Sequence, residues 1–106
     1  MISEEKIQSA ARLLGEAARP AKVVLFGSYA RGESREDSDV DFLVIEPAIE
    51  NRLEEIVRLR QVLRPFRIPV DILVYTEEEV RKRKDWCSGA LYWALREGKV
   101  LYDSLH

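Results

Sequence analysis

Between Ser3 and Ala18 the apolar residues Ile7, Ala10, Ala11, Leu14 and Ala18 recur at three- and four-residue steps, the spacing of one helix face. Ser3 stands where an N-cap belongs, and Glu4 and Glu5 lie at the positive end of the helix dipole. Arg19 and Pro20 end the pattern. Lys22 to Phe26 is a β-branched and aromatic run that stops at Gly27, which predicts a buried strand entering a tight turn. Gly27 to Ser38 reads as a polar loop, with Ser28 opening a short helical turn and Glu33 to Asp37 in solvent. Val40 to Ile45 predicts a second strand. Beyond Pro47, a stripe of Leu53, Ile56, Val57, Val62 and Leu63 predicts a second long helix, broken at Pro65. Pro69 to Tyr75 predicts a third strand, and Thr76 with Glu79 forms a capping box that starts another helix. Leu91, Ala94 and Leu95 resume helical spacing between Ser88 and Arg96. Gly98 is placed as a C-terminal cap, and Val100 to Tyr102 predicts a short edge strand.

The order helix, strand, strand, helix, strand, helix, helix, strand predicts an α+β (α/β two-layer) fold, a small mixed β-sheet with helices packed mainly on one face. A chain of 106 residues can bury one modest core, so residues 1–106 are read as one domain. Lysine and arginine number 17 against 19 aspartate and glutamate, a net charge of −2. That balance exerts no general attraction on nucleic acid or anionic lipid, so direct nucleic-acid binding is not expected. The basic run Arg81, Lys82, Arg83 and Lys84 is either a solvated helix end or a local patch for RNA or an acidic partner. The single cysteine, Cys87, excludes an internal disulfide and reads as a packed thiol. No apolar run has the length of a membrane span or the pattern of a cleaved signal, so a cytoplasmic protein is expected. With His106 as the only histidine, Ser/His/Asp and Cys/His catalysis are excluded. Trp86, Tyr92 and Trp93 lie among helical apolar residues and read as core or interface rather than base-stacking groups. Oligomeric state is left open.

The chemistry is concentrated in Gly27-Ser28-Tyr29-Ala30-Arg31-Gly32 and Ser38-Asp39-Val40-Asp41. Asp39 and Asp41 are two apart at the start of a strand, so both side chains project from one face, about 6.5 to 7 Å apart. At an effective dielectric of about 20, charges at such a distance repel by roughly 3 kcal/mol, a cost that a divalent cation between them would relieve. Asp71 sits in the otherwise apolar run Pro69 to Val74, where a carboxylate must be paired, hydrogen-bonded or metal-bound. If the third strand lies beside the second, the three carboxylates converge. Three hard oxygen ligands without cysteine or histidine select Mg²⁺ or Mn²⁺, and two such ions could be held. Open positions on those ions would serve in-line displacement at phosphorus. Gly27 and Ser28 either end a strand locally or offer backbone N–H groups and a hydroxyl to a triphosphate. Arg31 suits either phosphate or a surface ion pair with Glu33 or Glu36. Tyr29, beside the turn, is assigned no role.

The pattern Gly27-Ser28, ten residues, then Asp39-x-Asp41 resembles the DNA polymerase β nucleotidyltransferase superfamily. The fuller run Gly27-Ser28-x-Ala30-Arg31-Gly32 through Ser38-Asp39-x-Asp41 is similar to its minimal nucleotidyltransferase (MNT) branch. The resemblance implies a nucleotidyltransferase fold in which Asp39 and Asp41 bind both metals. Asp71 would complete one metal site and help activate the acceptor hydroxyl, while Gly27 and Ser28 take the triphosphate tail. It also implies an antitoxin partnered with a HEPN-type ribonuclease toxin, transferring AMP from ATP to a tyrosine of that toxin. The acceptor-binding domain of larger members has no counterpart within these 106 residues, so a second chain is expected to bring the acceptor. Two other functions compete: a non-catalytic antitoxin or binding module that covers its partner, and a small-molecule adenylyltransferase of the antibiotic-modifying kind. The clustered carboxylates favour the enzyme, since a scaffold gains nothing from charges that repel.

Overall fold

The structure, a computed structural model, describes residues 2–83 and 89–105. Helix α1 (Glu4–Ala18) is capped as its sequence demands, the Ser3 hydroxyl accepting a hydrogen bond from the Lys6 N–H at 3.2 Å. Strand β1 (Lys22–Phe26) runs into the single-turn helix α2 (Ser28–Arg31), and β2 (Val40–Glu46) follows the polar loop. Helix α3 (Arg52–Val62) leads through a 3-10 turn at Arg64–Phe66, where Pro65 stops it, to β3 (Val70–Thr76). Helices α4 (Glu77–Arg83) and α5 (Ala90–Glu97) precede β4 (Lys99–Asp103). Lys84, Trp86, Cys87, the expected helix start at Ser88, and His106 lie outside the described residues.

The sheet has the order β3-β2-β1-β4. β1 is antiparallel to both β2 and β4, whereas β2 and β3 are parallel. A parallel pair needs a crossover, and α3 supplies it. Alternation along each strand divides the apolar residues between two faces. Val23, Leu25, Val40, Phe42, Val44, Ile72 and Val74 pack against α1, with Leu59 and Leu63 of the α3 region. Val24, Phe26, Leu43 and Ile45 face the other way and are covered by Leu91 and Ala94 of α5 and Val80 of α4. The two long helices thus share one face, and the shorter pair covers the other only in part. Among the described residues no helix is long and apolar enough to cross a membrane.

At three places the structure departs from the expected pattern or narrows it. The inward stripe of α3 carries Leu59, buried, and Ile56, half-buried, whereas Leu53 and Val57 are 71% and 46% exposed. Leu53 and Val57 are one turn apart on the solvent side of a helix that has only one neighbour layer. Trp93 is 49% exposed, edge-on against Tyr92 at 5.1 Å, which rules out the core half of its core-or-interface reading. Strand β2 also extends one residue further than expected, to Glu46, which is 8% exposed. The capping box is present as read: Glu79 accepts from the Thr76 N–H at 2.9 Å, and the Thr76 hydroxyl from the Glu79 N–H at 3.1 Å. Gly98 ends α5 in an extended conformation. There a β-carbon would collide with the Ala94 carbonyl and the Val24 side chain.

Candidate functional site

Gly27 has φ +76, a left-handed conformation that costs a residue with a β-carbon. Its carbonyl accepts the N–H groups of Ala30 and Arg31, both at 3.1 Å, which closes the turn of α2. The first N–H groups of such a turn have no carbonyl within it, so those of Ser28 and Tyr29 point out of its start. Ala30 anchors α2 by burial in the core below, and Gly32 ends it with φ +73.

The carboxylates come together through the register of the sheet. Phe26 is the antiparallel partner of Asp41, and Asp71 is its parallel partner on β3. Asp39 directly precedes β2, where the Val40 N–H already bonds the Pro69 carbonyl at 2.9 Å. Val40 and Phe42 are fully buried below the sheet, so strand parity puts Asp41 and Asp71 on the opposite face with Phe26 and Leu43. Asp41 is half-buried; Asp39 and Asp71 are exposed. Burial, then the charges of Asp71 and Asp39, push the Asp41 carboxyl up to about 6, and Arg31 opposes them. Among the described residues no three acidic side chains close on one point as they stand. What the sheet provides is three oxygen donors at the ends of adjacent strands, the central one held in mutual repulsion. That donor set suits a hard divalent cation.

Arg31 reaches Glu33 from Nε at 3.2 Å and Glu97, at the end of α5, from Nη1 at 3.5 Å. The ion pair expected with Glu33 or Glu36 therefore forms with Glu33, and Glu97 was not legible because only the packing of α5 brings it near. The Tyr29 hydroxyl is turned away from the turn and accepts from the Ile2 N–H at 3.2 Å. In the basic run, Lys82 pairs with Glu78 at 3.2 Å and the Arg83 guanidinium lies over the Tyr75 ring at 5.7 Å.

The sequence reading missed a second acidic feature at the other end of β2. Glu46 is buried with Oε2 unpartnered, and burial, with Glu55 beside it, pushes its carboxyl up to about 8. Glu55 is held below the usual range, chiefly by Arg58, which donates to it at 2.8 and 2.7 Å. A charged residue ending an apolar run was the only signal available.

A mixed sheet thus sets three aspartates beside a left-handed Gly-Ser turn. The profile of the nucleotidyltransferase domain family matches residues 5–92, and the chain belongs to that family. It is a nucleotidyltransferase. A provisionally named protein adenylyltransferase of Methanocaldococcus jannaschii is 32% identical over 79% of this chain and 80% of its own. A solved, provisionally named minimal nucleotidyltransferase superposes with TM-score 0.62 at 30% identity, over 92% of this chain and 95% of that one. A chain from the complex of a tri-AMPylated Shewanella oneidensis HEPN toxin with its MNT antitoxin shares the fold. Its TM-score is 0.61 at 16% identity, over 96% of this chain and 73% of that one.

Proposed function

We propose that this nucleotidyltransferase moves AMP from ATP to a protein hydroxyl, that the acceptor is a tyrosine of a HEPN-type ribonuclease toxin, and that it thereby acts as the antitoxin. The observation that carries the reading is the register that sets Asp41 opposite Asp71, beside the Gly27 turn. The provisional name of the archaeal relative and the toxin complex that shares the fold support the acceptor class.

Asp39 and Asp41 would hold Mg²⁺ or Mn²⁺, two ions in all, with Asp71 completing one site. Bound there, the ions would supply charge neutralisation at the α-phosphate and on the departing oxygens. The Ser28 and Tyr29 N–H groups and the Ser28 hydroxyl bind the triphosphate tail, and Arg31 joins them by exchanging its carboxylates for phosphate. Asp71, exposed at the start of β3, takes the proton of the acceptor hydroxyl. The acceptor oxygen then bonds to the α-phosphorus, the bond from that phosphorus to the bridging oxygen breaks, and pyrophosphate leaves. AMP on the toxin adds bulk and negative charge near its RNA-binding surface, which opposes RNA phosphates.

The test incubates the chain with labelled ATP, Mg²⁺ and a purified HEPN ribonuclease, and maps the product by mass spectrometry. The expected result is AMP on a tyrosine of the ribonuclease and none with Asp71→Asn. Equal neutralisation without ATP, with no adduct, would establish the covering module instead.

A further inference from the structure

At the start of β2 and β3, between the end of α3 with the turn after it and Asp39, lies a groove of about 490 Å³. It is lined by Arg60, Arg64 and Arg67, by the apolar Leu63, Ile68 and Pro69, and by Asp39 next to the site. All three arginines are exposed. Arg60 is steadied by a hydrogen bond from Nη2 to the Val70 carbonyl at 3.1 Å, one residue before Asp71. Among the described residues none of the three is ion-paired with a carboxylate, although acidic side chains outnumber basic ones in the whole chain. Three guanidinium groups without a carboxylate partner, against Asp39 alone in the same groove, make a local field opposite in sign to that of the chain. Each guanidinium presents a fork that matches a carboxylate.

We propose that this groove docks an acidic segment of the polypeptide that carries the acceptor hydroxyl. The inference rests on the reading of the chain as a transferase to a protein hydroxyl and adds what the acceptor must look like. The groove includes Val70 at the start of β3 and touches the site only at Asp39, whereas the Gly27 turn lies across β2 on the β1 side. A segment lying in the groove reaches the site at Asp39, on the side away from the Gly27 turn, and leaves the triphosphate side free. Acidic residues near the acceptor hydroxyl pair with Arg64 and Arg67, and Leu63, Ile68 and Pro69 offer apolar contact to the rest of the segment. A nucleic-acid strand fits less well. Its charges recur at every nucleotide and would have to run along the whole groove past Asp39, whereas a peptide can confine its acidic side chains to the arginines.

The test uses three fluorescent probes with the full chain: a tyrosine peptide flanked by glutamates, the same peptide with glutamines, and a short single-stranded RNA. Binding is read by anisotropy at low and physiological salt. The expected result is at least tenfold tighter binding of the glutamate peptide than of the glutamine peptide. In Arg64→Glu/Arg67→Glu that preference disappears, with ATP affinity unchanged. The milder Arg64→Gln/Arg67→Gln pair keeps the test intact should charge reversal disturb folding. Equal affinity for the two peptides, a preference that survives both double variants, or tighter binding of RNA than of the glutamate peptide would overturn the proposal. AMP transfer to the peptides is measured separately. Transfer without glutamate preference refutes the groove and leaves the transferase reading standing. Glutamate-selective binding without transfer to any hydroxyl does the reverse.

Discussion

Gly27 and Asp41 stand so close that a β-carbon on residue 27 would occupy the place of the Asp41 carboxylate. The glycine is therefore required twice, once by its φ of +76 and once by the acid across the strand pair. Gly27→Ala must both strain the turn and push Asp41 aside, at a cost of about 1–3 kcal/mol. Ser28→Ala removes one hydroxyl and leaves the turn. Calorimetry with a non-hydrolysable ATP analogue should show a larger loss of affinity for Gly27→Ala than for Ser28→Ala. Matched affinities of wild type and Gly27→Ala would leave the turn a structural role alone.

Asp41 gives the site a pH signature. Its carboxyl is pushed from 3.8 up to about 6, first by burial and then by Asp71 and Asp39. A raised carboxyl contributes stability that is fully present below 3.8 and is lost as pH rises through about 6. Without metal, Asp41→Asn should match wild type near pH 4 and equal or exceed it at pH 7, in denaturant titrations at both values. Mn²⁺ must displace the Asp41 proton, so its affinity for the wild type should rise between pH 5 and pH 7. Affinity that is flat over that interval would detach Asp41 from the metal.

Glu46 acts in the same direction at the far end of β2, over a wider window. Its contribution is complete below 4.5 and lost as pH rises through about 8. Glu55, held low by Arg58, works oppositely, and its contribution is lost only as pH falls below 4.5. Glu46→Gln keeps a neutral polar group in place, so it should gain about 1–2 kcal/mol over wild type above pH 8, with no gain below pH 4.5. Thermal melts across that range check the convergence.

The capping box joins β3 to α4. Thr76→Ala removes the acceptor for the Glu79 N–H and should cost about 1 kcal/mol with ATP affinity unchanged. Glu79→Ala should cost more, because Glu79 also holds Arg52, whose Nε bonds the Val74 carbonyl at 3.0 Å and whose guanidinium lies over Tyr75. Urea unfolding of the two variants orders them.

Much of this was legible locally. The bounds of β1, the Ser3 cap, the Thr76–Glu79 box and the stop at Pro65 depend on residues within a few positions of one another, and local patterns carry that information. The stripe of α3 failed because Leu53, Val57 and Leu59 are equally apolar. Only the arrangement of α3 against β3 and α1 selects which of them is buried.

The sequence by itself determined the order of elements, the two-residue spacing of Asp39 and Asp41, and the glycine-serine turn before them, since each follows from side-chain period and backbone sterics. It also marked Asp71 as an acid out of place in an apolar strand. Tertiary structure alone decided that Asp71 faces Asp41, because parallel pairing joins residues thirty apart through a crossover whose register no local pattern records. It decided likewise that Glu97 meets Arg31, that Glu46 is buried, and that Arg60, Arg64 and Arg67 line one groove beside Asp39. Burial and Coulomb energy depend on distance in space, and only the packed chain sets those distances.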